Sequence, residues 1–217
     1  MKVFNASITT LALAVAASLS PAAHADGLRA PAVPYDLRVP EGNVPFLKGA
    51  ATGTQNYVCT TSGAGFAWVL FTPEATLFNR ADKQTITHFF SPDLDPRDPN
   101  TDPRVVAQGA IRAAWQARDS STVWAKLHPP SQPSFDPNFV RKNSVPWLLL
   151  ETAGVQEGPT GGDLLTQTTF IQRVNTNGGL APEAGCAALA DVGKKAFVPY
   201  TADYFFFTSA YSYDHQD

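Results

Sequence analysis

LLTQTTFIQRVNT, residues 164–176, is the longest alternating run in the chain. With a period of two, Leu165, Gln167, Thr169, Ile171, Arg173 and Asn175 share one face of a strand. Leu164, Thr166, Thr168, Phe170, Gln172 and Val174 share the other. Asn177-Gly178-Gly179 ends the run, because these residues tolerate the positive φ that a reversal demands. Cys186 lies just beyond, so the segment reads as a strand, a glycine reversal and a covalent anchor.

The same strand-and-turn grammar extends in both directions. VPWLLLETAGVQ (145–156) reads as a core strand, PEAGCAALADVG (182–193) as one helical turn, and FVPYTADYFFF (197–207) as the aromatic strand that closes the domain. Upstream, GTQNYVCTT (53–61) alternates, FAWVLFTP (66–73) is a strand bounded by Pro73, and ATLFNRADKQTITHFF (75–90) holds two short strands. Residues 105–117 carry helix-favouring alanine and arginine but also Gly109. We read them as a β-hairpin with 122–128 around Arg118 to Ser121, with a helix as the alternative. That hairpin would set Trp115 opposite Trp124 as a cross-strand pair. Proline-rich stretches at 91–103 and 129–139 read as long surface loops. Eighteen prolines, fifteen glycines and a single methionine fit many short strands better than a helical bundle. The fold class expected is mostly β, a single-domain antiparallel β-sandwich or flattened barrel with one disulfide.

The N-terminus is read separately. Lys2, the apolar stretch 8–18 and Ala23-His24-Ala25 form the three parts of a secretory signal peptide with cleavage after Ala25. The division is then 1–25 signal peptide, 26–45 extended proline-containing arm, 46–208 β-domain and 209–217 polar tail. Export to the periplasm or the medium follows. In such an oxidising compartment Cys59 and Cys186 would pair, with two buried free thiols as the alternative. A net charge of −3 with scattered basic residues excludes a nucleic-acid surface, and no later stretch is apolar for long enough to span a membrane.

Motifs for chemistry are sparse. Gly-x-Ser-x-Gly, His-Glu-x-x-His and a phosphate-cradling Gly-Lys-Ser/Thr are all absent, although TTSGAG around Ser62 comes near the first. His88 stands at a strand end just before Asp93, Asp95 and Asp98, the one place where a histidine and several carboxylates converge in sequence. Such a set would suit a hard cation such as calcium or an acid–base pair, against a structural histidine and a solvated loop. No cofactor is otherwise expected. Trp115 and Trp124, with Tyr200, Tyr204 and Tyr211, are candidates for a platform that stacks a glycan or another ring-bearing small molecule, against the alternative that they are core.

The blocks GTQNYVC, THFF, VPWLLL, FIQRVNTNGGLAP and VPYTADYFF, in this order over about residues 38–207, resemble a family of secreted bacterial and fungal proteins catalogued as a domain of unknown function. Some fungal members carry a malate dehydrogenase label, which would imply a nicotinamide site. GAATGTQ and GPTGGD lack the Gly-x-Gly-x-x-Gly spacing and no helical pattern follows them, so that implication fails here. The resemblance supports fold and location and brings no catalytic residue. The function expected is a secreted binding or envelope-associated module. The alternative is an extracellular, metal-assisted hydrolase centred on His88 and the acidic loop.

Overall fold

The structure, a computed structural model, describes residues 27–63, 65–92 and 111–213. Eight strands form one closed antiparallel barrel, so of the sandwich and the barrel the chain adopts the barrel. They are β1 (Asn43–Ser62), β2 (Gly65–Phe78), β3 (Gln84–Pro92), β4 (Ile111–Ala117), β5 (Thr122–Leu127), β6 (Leu148–Gln156), β7 (Phe170–Gly178) and β8 (Lys195–Ser209). Each pairs with the next, and β8 returns to β1 from Asn43↔Ser209 to Val58↔Lys195. Closure leaves no free sheet edge for another chain to pair with.

Residues 164–176 form a strand only in their second half. β7 begins at Phe170, while Leu164–Thr169 turns back on itself, with Thr166 N–H on Asp163 O and Thr168 N–H on Leu165 O. The cause lies in the β4–β5 turn. Asp119 accepts the Leu164 amide at 2.9 Å, and the Ser121 hydroxyl accepts the Leu165 amide at 3.1 Å. These bonds carry Leu165 into the interior, where it is fully buried and closes one end of the barrel.

Both faces of several strands are buried, which explains the unbroken apolar runs WLLL and YFFF. Leu150, Ile171, Tyr204 and Phe206 point inward and pack with Leu77, Ile86, Trp115 and Val123. Leu149, Val174, Phe205 and Phe207 point outward and are covered by Leu28, Val33 and Leu37 of the N-terminal segment and by Val140 and Trp147. Gln172 fixes that cover with a 2.7 Å bond from its amide to Leu37 O.

Three details differ from the sequence expectation. Residues 111–117 and 122–127 do form the hairpin, but Trp115 faces Val123 and Trp124 faces Ala114. The loop has three residues, Arg118–Ser120, closed by Ala117 N–H on Ser121 O with Ser120 at φ 67. One residue fewer in the loop shifts the register by one and sends the two indoles to opposite faces. Residues 105–110 of the helix alternative lie outside the described residues. Second, Pro73 lies within β2 and does not end it. The β2–β3 ladder stops at Ala75↔His88, two positions short of Pro73, which has no N–H to give. The Phe90 amide bonds the Thr72 hydroxyl instead, at 3.1 Å. Third, β1 begins at Asn43 and so takes up the end of the arm.

Cys59 and Cys186 are bonded, across a sequence separation of 127. The β7–β8 connection is thereby held on β1, where Cys59 N–H also donates to Lys194 O, Gly193 N–H donates to Cys59 O, and Trp68 Nε1 donates to Ala184 O at 3.0 Å. The reversal at Gly178 and Gly179 has φ of 75° and 85°. A side chain at Gly179 would sit 2.8 Å from Tyr200 Cβ, so glycine is required on two counts. No helix among the described residues is long and apolar enough to cross a membrane.

Candidate functional site

The barrel interior is packed toward one end and hollow toward the other. Toward the end closed by Leu165, large side chains meet across the axis. Toward the other end the walls enclose a cavity of about 550 Å³. Its floor is aromatic. His88 stacks on Trp115 at 4.2 Å between centroids and 7° between planes, and Tyr204 leans on both rings at 5.2 and 5.6 Å. The walls include Leu70, Phe90, Ala113, Ala125, Leu148 and Leu150. At the rim, Leu127, Phe135 and Leu180 are large, apolar and exposed. The space exists because several inward positions carry small side chains, Ala113 on β4 and Ala125 on β5 among them, beside Gln55 and Tyr57 on β1.

Polar groups enter this apolar chamber at few points. Tyr57 donates its hydroxyl to Gly179 O at 2.7 Å, and Tyr200 and Tyr204 face each other at 3.3 Å. Burial pushes the Tyr57 and Tyr200 hydroxyls above the usual phenol range, against a smaller opposing pull from Arg173. Arg173 is only 8 % exposed and gives Nε and Nη2 to Pro146 O at 3.2 and 3.0 Å. No carboxylate among the described residues pairs with it. The described lining contains Arg112, Lys126 and Arg173 but no aspartate or glutamate.

His88 belongs to this floor. Its Nδ1 lies 2.8 Å from Ala114 O, which can only accept, so Nδ1 carries the proton and Nε2 keeps the lone pair. Complete burial holds its pKa down at about 3, with the charge of Arg173 acting the same way and the Ala114 carbonyl opposing both. The imidazole is therefore neutral across the physiological range. Asp93, Asp95 and Asp98, its expected partners, lie outside the described residues, and among those described no three His, Cys, Asp or Glu side chains gather as for a metal ion.

The aromatic residues singled out in the sequence separate. Trp115 and Tyr204 meet, but inside the barrel. Trp124 points away from the cavity, with its Nε1 on Ser91 Oγ at 2.6 Å, and Tyr211 is exposed beyond β8. No platform joins Trp115 to Trp124. Arg173 escaped notice as a site residue. Its signal was a lone cation on the same strand face as Ile171, a position that an alternating strand normally reserves for the core.

No curated protein and no solved structure matches this chain. The family model described as "Protein of unknown function (DUF3455)" matches residues 40–208, which takes in nearly all of the barrel, and the chain belongs to that family.

Proposed function

We propose that this protein is an exported barrel that binds a small, largely apolar molecule in the open half of its interior. The observation that carries the reading is the chamber itself. It is preformed, about 550 Å³, apolar on most of its wall and opened by an apolar rim. That is the size and chemistry of small-molecule pockets, and eight strands give an interior just wide enough for one such ligand. A glycan fits less well, because a sugar would present hydroxyls to walls that offer them few partners. The Cys59–Cys186 bond is the kind of staple that persists in an oxidising compartment, which supports export.

The test is to fill the chamber. Ala113 lies on its wall opposite Ala125 and close to Phe90, so the Ala113→Trp variant places an indole where the ligand would lie. Titration with the neutral fluorophore 1-aminoanthracene is expected to show saturable one-to-one binding to the parent protein. Affinity should fall at least about a hundredfold in the variant, since a blocked pocket forfeits most of the apolar burial. Equal binding by both proteins would place the fluorophore elsewhere and defeat the reading.

A further inference from the structure

The chamber is not uniformly apolar, and its polar groups are unbalanced in one direction. Arg173, itself buried, brings a permanent charge and five N–H donors into an otherwise apolar wall. Two of its nitrogens share the single carbonyl of Pro146. A guanidinium removed from water without an anion loses solvation that one neutral acceptor does not restore. Trp115 of the same wall is fully buried, and its Nε1 donor has no partner. Lys126 differs, because Glu151 already neutralises it at 3.1 Å. Among the described residues, what the wall lacks is an acceptor, and above all one negative charge.

We infer that the ligand is an amphiphilic monocarboxylate, its carboxylate seated on Arg173 and its hydrocarbon body lying against Leu70, Phe90, Leu148 and Leu150. This rests on the barrel-binding reading and adds the ligand's chemical class. One buried guanidinium matches one unit of negative charge, and its planar fork suits the two oxygens of a carboxylate. The cavity volume accommodates a chain of about ten carbons with room for the headgroup.

The experiment compares ligands that differ only at the head. Sodium decanoate and 1-decanol are titrated against the 1-aminoanthracene complex of the full-length protein and of its Arg173→Met variant. Decanoate is expected to bind the parent about tenfold to a hundredfold more tightly than decanol, the range of a hydrogen-bonded charge pair. In Arg173→Met that preference should vanish, with decanol affinity changed by no more than about threefold. If decanol equals or exceeds decanoate in the parent, the carboxylate inference falls while the barrel reading stands, and no variant is needed to see it. A preference for decanoate that survives in Arg173→Met also overturns it, by moving recognition to another cation. If neither ligand nor the fluorophore binds, the barrel reading itself falls and takes this inference with it.

Discussion

Acidification from pH 7 to pH 4 is expected to cost this protein about 3 kcal/mol through His88 alone. In the folded chain His88 has a pKa of about 3, below its ordinary 6.5, because it is wholly buried between Trp115 and Tyr204. The unfolded chain takes up a proton as pH drops through about 6.5, while the folded chain takes none until about 3. Between these values the unfolded state binds more protons, so stability falls as pH falls, and the contribution is complete only above pH 6.5. His88→Phe keeps a flat ring against Trp115 and removes the titration. Urea denaturation at pH 7 and pH 4 should show a loss of unfolding free energy about 3 kcal/mol smaller for the variant than for the parent. Identical losses would mean that His88 is not held neutral in the barrel.

Loss of the disulfide is the other large effect. The bond between Cys59 and Cys186 closes a loop spanning 127 positions, and constraining the unfolded chain over that length is worth about 4 to 5 kcal/mol in the chain-entropy model. The local structure adds to it, since Gly185 lies against the Trp68 ring and Ala184 O accepts its indole N–H. The Cys59→Ser, Cys186→Ser double variant should therefore unfold at a much lower urea concentration. An unchanged midpoint would show that the β7–β8 connection is held without its covalent anchor.

The parts of this fold legible in the sequence were those governed by local alternation. β5, β7 from Phe170 onward and β8 show their period, and the glycine reversal after β7 shows its reason. Two kinds of information were not local. The first is register. The loop at Arg118–Ser120 is one residue shorter than RDSS suggested, and a one-residue change exchanges inside for outside for every side chain after it. The second is competition from distant partners. LLTQTT alternates as well as FIQRV does, but Asp119 and Ser121, far away in sequence, claim the Leu164 and Leu165 amides and bend the first half out of the sheet.

The site suffered most from this. His88 was visible as a rare histidine, yet its ring stacks on Trp115 and faces the barrel axis, and its sequence neighbours at 93–98 lie outside the described residues. The chamber draws its wall from all eight strands, so no stretch of sequence contains enough of it to be seen. Arg173 was in plain view on the face of β7 that carries Ile171, but only the closed barrel shows that this face surrounds a hollow.

A ligand that enters the barrel is reported separately by each of the chain's four tryptophans. Trp115 forms the chamber floor, Trp124 points away from it, Trp147 packs under the N-terminal segment, and Trp68 lies beside the disulfide. In a two-dimensional 1H–15N spectrum each indole gives one resolved signal. Addition of 1-decanol should shift the Trp115 indole signal progressively to saturation and leave those of Trp68 and Trp147 in place. A Trp115 signal that does not move, or shifts confined to Trp68 and Trp147, would contradict the account.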